Sequence, residues 1–418
     1  MTTLLLSEGS SLSARQAITA LGPLGYRIDV CDSNPMCIGR FSRFVRHFTR
    51  CPVWAADPAA YLDFILARLG QAHYDVLLPV HEQAFLFAAA RERLAARAGL
   101  ALADFQSFLL LQSKAAFARL LDELRLPQPP TRFVHTRAEL EALADFPFYV
   151  KAPYSTAGSG VWKVDDVPTR GAALDALDER GLLDGRTEIV VQGLASGAQG
   201  QAQAVFEHGR LIAAHCTTQL AEGIGGSQSA RLSIDHPLVR AHLSILGERL
   251  RWHGALALDY LFEPASGQPC YIEANPRLVE PMNAALSGVN LADILVRLSL
   301  GETFAGKPIQ LGHPGVRTHS LLATLLGTAA RERSRRAVIG EASRMIGRQG
   351  AYQNSREDLT PLGTDPLSAV PLAVVGVQLL VDPARAAGIS RQAISTYAMT
   401  QATVETIVAH EREWQSAG

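Results

Sequence analysis

The chain has almost no net charge: 39 Lys and Arg against 40 Asp and Glu leave −1. It therefore offers no electrostatic reason to expect nucleic acid or an anionic membrane as partner. Cysteine is scarce. Cys31, Cys37, Cys51, Cys216 and Cys270 are an odd number without a C-x-x-C pair. They read as reduced thiols in a cytosolic protein, not as a disulfide frame or a zinc site. No apolar run approaches transmembrane length. The start, M-T-T-L-L-L-S-E-G, lacks a basic stretch before its short apolar run, which predicts no secretory leader. There is no repeat of fixed period and no long low-complexity tract. Two common nucleotide signatures are also missing. No G-x-x-x-x-G-K-[ST] occurs, and no G-x-G-x-x-G follows the first apolar strand, so neither a P-loop nor an NAD site is expected.

The chemistry-bearing residues gather between Gly254 and Arg277, in G-A-L-A-L-D-Y-L-F-E-P-A-S-G-Q-P-C-Y-I-E-A-N-P-R. Alternating Leu256, Leu258, Tyr260 and Phe262 predict a strand with one buried face. Pro264 to Pro269 reads as a turn, and Cys270, Tyr271 and Ile272 as a second short strand. Such a hairpin brings Asp259 near Glu273 and Asn275. Two carboxylates and an amide oxygen form a hard, all-oxygen set suited to Mg²⁺, with Mn²⁺ as the alternative. Arg277 adds a fixed cation with a forked guanidinium. A divalent cation beside arginine is an arrangement for phosphoryl transfer. The plainer reading is a hairpin with a scattered polar rim.

An acid, a hairpin and then E-x-N-P-R resembles the metal-binding signature of ATP-grasp enzymes. These include carbamoyl-phosphate synthetase, biotin carboxylase and the carboxylate–amine ligases. The resemblance extends over roughly residues 1–305. It implies a mixed α/β and α+β fold: a Rossmann-like domain over 1–110, a small ATP-binding lobe over 111–190 and a large lobe with the hairpin over 191–307. Residues 308–418 are expected to form a small C-terminal accessory lobe.

In the first segment, strands at Leu4–Leu6, Tyr26–Cys31 and Val76–Val80 alternate with helical spacing at Ser13–Leu21 and Ala84–Leu94. That order predicts a parallel, doubly wound sheet. Glu82, just past a strand end, either faces substrate, as an acidic residue can in amine-ligase relatives, or favours a helix start. Arg40, Arg43, Arg46 and Arg50, around Phe41, Phe44 and Phe48, predict a solvated amphipathic helix face.

Ser113 is placed to cap a helix whose Lys114, by resemblance, reaches nucleotide phosphate. Phe148–Lys151 predicts a strand, and P-Y-S-T-A-G-S-G follows. Glycine lets backbone N–H groups close on phosphate oxygens. Lys151, Ser155, Thr156, Gly158, Ser159 and Gly160 are thus the expected phosphate cradle, on a mobile loop. The resemblance makes Gln192-Gly193-Leu194 the hinge that meets adenine. Family members usually carry Glu at the hinge and again seven residues later for the ribose. Gln192 and Gln199 stand there instead, and can accept hydrogen bonds only without charge assistance. Gly223 to Arg231 reads as a glycine- and serine-rich loop. Arg231 at its end would hold a substrate carboxylate or the transferred phosphoryl group, or else make a structural salt bridge. Glu280 is one residue out of step with a family base and is assigned no such role.

Beyond Pro308, Ser320–Ala330 predicts an apolar helix, Ala373–Val381 a strand and Arg391–Trp414 a helix. This part is expected to serve as a substrate-site lid or a homodimer surface. The resemblance implies binding of ATP and Mg²⁺, phosphorylation of a small-molecule carboxylate and attack by an amine. Arg277, Lys151 and Arg231 would be the catalytic cations. Two rivals stay open: carboxyphosphate chemistry, as in carbamoyl-phosphate synthesis or biotin carboxylation, and a nucleotide-binding module without catalysis.

Overall fold

The computed structural model describes residues 1–416. Strands β1 (Thr3–Leu6), β2 (Arg27–Asp32), β3 (Val45–Arg50) and β4 (Val76–Leu78) form a parallel sheet in the order β3-β2-β1-β4. The order reverses at β1, so a crevice opens where the ends of β1 and β4 diverge. Ser7 to Gly9 leave β1 there, and His81 and Glu82 follow β4.

The second sheet is antiparallel: β5 (Thr131–Val134), β6 (Phe148–Lys151), β7 (Val161–Val164) and β8 (Ile189–Gly193), in the order β5-β8-β6-β7. Its apolar face and the helix Val167–Asp178 enclose a core of their own, with Val150, Leu174, Leu177 and Val191.

The largest sheet is built on β9 (Ala198–Glu207), β10 (Arg210–Glu222), β11 (Gln228–Ile234), β12 (Gly254–Phe262) and β13 (Pro269–Asn275). Later residues extend it through β14 (Gln310–Leu311), β15 (Arg317–His319) and β16 (Ser355–Glu357). Leu256, Leu258, Tyr260 and Tyr271 of the hairpin share one core with Phe85, Phe87, Phe105, Phe108 and Trp252. The first domain is therefore welded to the largest sheet, which holds Glu82 in fixed relation to Arg277.

Three local expectations are corrected. Ala373–Val381 lies within a helix, Ala369–Val381, not a strand. Apart from Gln378 the segment is apolar, and a run of that kind has no period that separates the two. The helix leaves Val370, Val374, Val377 and Val381 exposed in one stripe. The arginine cluster is not a helix face. Arg40 ends a single 3₁₀ turn, and Arg46 and Arg50 lie on edge strand β3, where Arg46 grips buried Asp29 at 2.9 Å. Charge on an edge strand also blocks pairing with another chain. The final helix is split into Ala386–Ser395 and Gln401–Ser416.

Residues 308–416 are bound into the rest of the molecule. The last helix buries Val404, Ile407 and Trp414 in the first domain's core. Asp365 reaches back to Arg15 at 2.8 Å, with neither side chain exposed, and also accepts from Ser42 Oγ and the Arg43 amide. Among the described residues, no helix is long and apolar enough to cross a membrane.

Removing one member of a buried pair strands the other charge. Asp365→Ala is expected to lower unfolding stability by about 3–5 kcal/mol. Urea denaturation checks this, and a loss below about 1 kcal/mol would contradict the pair's burial.

Candidate active site

The register of two strand pairs builds the centre. Asp259 on β12 stands opposite Glu273 on β13 and opposite Gln201 on β9. Side chains alternate along a strand, so Asn275 shares the face of Glu273. Gln201 Nε2 donates to Asp259 Oδ1 and Asn275 Nδ2 to Asp259 Oδ2, both at 2.9 Å. Burial, and then the charge of Glu273, push Asp259 up to about 6. Burial would also raise Glu273, but Lys114 Nζ at 2.7 Å, with Lys151 and Arg277, leaves its carboxyl below the usual range. The donors are all oxygen, and Asp259 carries like-charge repulsion that a divalent cation would relieve. The set fits Mg²⁺, which takes few protein ligands and keeps water and phosphate for the rest.

Lys151 ends β6. Its Nζ donates to Gln192 Oε1 at 2.6 Å and to the Ile272 carbonyl at 3.1 Å, tying the small lobe to the hairpin. Burial lowers its ammonium to about 8, against the pull of Glu273. Lys114 Nζ also touches the Ser155 carbonyl at 3.4 Å. The glycine loop turns tightly: Ser159 N–H donates to the Thr156 carbonyl, and Val161 N–H to Gly158. Gly158 has φ +73°, and a Cβ on Gly160 would meet Ser155 Cβ at 2.7 Å, so both positions need glycine.

Arg277 Nη2 lies 3.4 Å from Glu82 Oε1 and 3.2 Å from Asn275 Oδ1. Its Nε and Nη1 are buried without a partner. Arg231 sits on strand β11, not in a loop as expected, and is buried. It pairs with Glu280 and donates to the Gln228 carbonyl, and its Nε and Nη1 also lack partners. Two buried guanidiniums thus each keep an idle edge of N–H groups, a strong demand for oxyanions. Glu280 itself adopts φ +36°, a strained backbone for a residue with a side chain.

The expected hinge has a different internal arrangement. Gln192 is tied to Lys151 and, through Nε2, to Thr131 Oγ1 at 3.1 Å. The Gly193 amide donates to Pro130, and Leu194 is exposed. Gln199 lies on β9 on the same face as Gln201, opposite Leu261.

Glu82 makes no capping hydrogen bond to its helix. It receives Gln112 Nε2 at 3.0 Å and Thr156 Oγ1 at 3.5 Å as well as Arg277. Sequence reasoning missed Gln201 and Gln112; from the C-terminal segment, expected as a substrate-site lid or a dimer surface, the Met399 amide donates to Thr156 Oγ1 at 3.2 Å. Only Gln201 left a signal: Gln199, Gln201 and Gln203 put polar side chains at period two in a buried strand.

No family model matches the sequence. A carbamoyl phosphate synthase large chain from Streptomyces griseus subsp. griseus is 28% identical over 217 residues, 46% of this chain and 18% of that protein. The chain thus spans less than a fifth of the curated relative it matches. The L-amino acid ligase from Bacillus licheniformis superposes with a TM-score of 0.54 at 17% identity, covering 74% of this chain and 75% of the ligase. The biotin carboxylase domain of Hydrogenobacter thermophilus 2-oxoglutarate carboxylase, solved with MgADP, ADP and bicarbonate, gives 0.59 at 14% identity over 74% and 71% of the two chains. This chain has the ATP-grasp fold.

The raised pKa of Asp259 has a stability consequence. Asp259 is protonated more readily folded than unfolded, so its contribution to stability is lost as pH rises through about 6. Asp259→Asn should leave stability unchanged near pH 4 and raise it by about 1–2 kcal/mol at pH 8. Thermal melts across that range test it. A gain independent of pH, or none at pH 8, contradicts the assignment.

Proposed function

We propose that this chain is an ATP-dependent, ADP-forming ligase that joins a small-molecule carboxylate to an amine through an acyl phosphate. The supporting observation is the pair of idle guanidinium edges on Arg277 and Arg231, beside the oxygen set of Asp259, Glu273 and Asn275. A carboxylate is a poor electrophile. Transfer of the γ-phosphoryl group to it releases ADP and makes a reactive acyl phosphate. Attack by an amine nitrogen then expels phosphate and leaves an amide.

In this reading Lys151 and Lys114 hold ATP phosphates, with Ser155, Thr156, Gly158, Ser159 and Gly160 closing over them. Gln192 positions Lys151, while Gly193, Leu194 and Gln199 border the base and ribose. When bound, Mg²⁺ on Asp259, Glu273 and Asn275 would screen phosphate charge. Arg277, steadied by Glu82, presents its fork to the phosphoryl group in flight, and Arg231 presents its own to the acid or its phosphate. The five free thiols accord with a reducing, cytoplasmic setting, and the exposed valine stripe with a homodimer contact. Carboxyphosphate chemistry is the rival. ADP release that needs only bicarbonate would select it.

Two measurements test the proposal. Hydroxylamine with ATP, Mg²⁺ and the right acid should yield the acid's hydroxamate, and label from carboxylate oxygen should reach phosphate. Product without either result refutes an acyl phosphate. Arg277→Lys should bind ADP nearly as wild type yet turn over about 100- to 1,000-fold more slowly, as for one lost transition-state donor. Calorimetry and phosphate release on the same protein decide this. Lost ADP binding with an unchanged saturated rate contradicts the role.

A further inference from the structure

A second polar chamber lies at the crevice between β1 and β4. It is lined by Glu8, Asp32, Trp54, Tyr61, Gln83 and Thr396, with further wall from neighbouring residues. The space open to the centre of a water-sized sphere is about 10 Å³, room for one water-sized group.

Glu8 and Asp32 are both almost wholly buried. Glu8 accepts from the Ser10 and Ser11 amides at 2.6 and 2.9 Å, and from Ser11 Oγ. Asp32 accepts from the Gly9 and Asn34 amides at 2.8 and 2.7 Å. Those bonds hold the two turns and use both oxygens of each carboxylate. A Gln amide could still accept both backbone bonds at Glu8, whereas an Asn amide could accept only one of the two at Asp32. Among the described residues, no lysine, arginine or histidine pairs with either carboxylate. Two buried carboxylates without a cation are costly. Burial, and then Asp32, accordingly push Glu8 up to about 7. Gln83 is 1% exposed and its Oε1 has no partner; Trp54 is 1% exposed and its Nε1 has none. The chamber therefore presents one unpartnered acceptor, one unpartnered donor and two carboxylates without a cation.

The chamber adjoins the phosphoryl centre. Gln83 follows Glu82, which contacts Arg277. Thr396 precedes Tyr397, whose ring lies tilted against His81 with centroids 4.2 Å apart. Glu8, Arg277, Glu280 and Glu82 all lie near enough to act on the Tyr397 hydroxyl.

We propose that Glu8, Asp32 and Gln83 form the pocket for a primary ammonium group carried by the acid substrate, so that the carboxylate activated here belongs to an amino acid. An ammonium brings N–H donors for the unpartnered Gln83 oxygen and the positive charge that the two carboxylates lack. The attacking amine must be neutral when it reacts. A group held between two carboxylates stays protonated, so this pocket serves recognition and not attack. Trp54 Nε1 is left for an oxygen on the same molecule.

This inference rests on the ligase reading, and the experiment separates the two. With hydroxylamine as the common nucleophile, the protein is given ATP, Mg²⁺ and each of the protein L-amino acids, in parallel with desamino counterparts such as propionate for alanine and 3-phenylpropionate for phenylalanine. At least one amino acid should give ADP and hydroxamate with kcat/KM about 100-fold or more above its counterpart, as for a site built to bind a polar group. Glu8→Gln and Asp32→Asn should erase that ratio while leaving the desamino acid's rate unchanged. Gln83→Leu, which leaves both turns untouched, should cut the ratio and keeps the test valid where the carboxylate variants fail to fold. Equal rates in wild type, or variants that lower both substrates alike, overturn the pocket and make the chamber a water site within the scaffold. If no acid of either kind releases ADP, the ligase reading falls and the pocket's role with it.

Discussion

Two carboxylates facing each other across a strand pair repel, and the rest of the centre is arranged around that repulsion. Asp259 and Glu273 are opposed because β12 and β13 pair Ala257–Asp259 against Glu273–Asn275, the register shifting just beyond, between Asp259 and Tyr260. A slip of one residue by either strand would turn its carboxylate away from the other. The residues that flank the pair, Leu258, Tyr260 and Tyr271, are buried in the core and oppose the slip. Lys114, Lys151 and Arg277 supply the compensating charge from three different elements. Hydrophobic packing thus fixes an electrostatic arrangement that is itself unfavourable, as sites of pre-organised charge commonly are.

The lobes differ in how they are held. The first domain and the largest sheet share one apolar core, whereas the small lobe closes its own. Its ties to the remainder at the site are polar: Lys151 to Ile272, the Lys114 amide to Pro153, and Thr156 to the Met399 amide. Polar links of this kind give way at lower free energy than a shared core.

The C-terminal residues contribute more than their sequence suggests. They add strands to the largest sheet, bury a helix against the first domain and place Tyr397 beside His81. The Arg15–Asp365 pair anchors this return from far along the chain. The crevice of the first sheet is consequently roofed by residues from the other end of the protein, which makes it a chamber.

The sequence by itself determined the local elements whose chemistry is dense and periodic. The hairpin with Asp259, Glu273 and Asn275, the strand ending in Lys151, and the glycine turn were legible because strand alternation and turn residues act over a few positions. Where period was absent, sequence reading failed: an apolar run became a helix at Ala369–Val381, and Arg231 moved from a loop into a buried strand. Only the tertiary structure decided which side chains share an environment. Glu82 meets Arg277 across 195 positions, and Asp259 meets Gln201 across 58. Nothing local encodes those distances; they follow from how sheets pack, and packing depends on burying apolar surface from segments far apart in the chain.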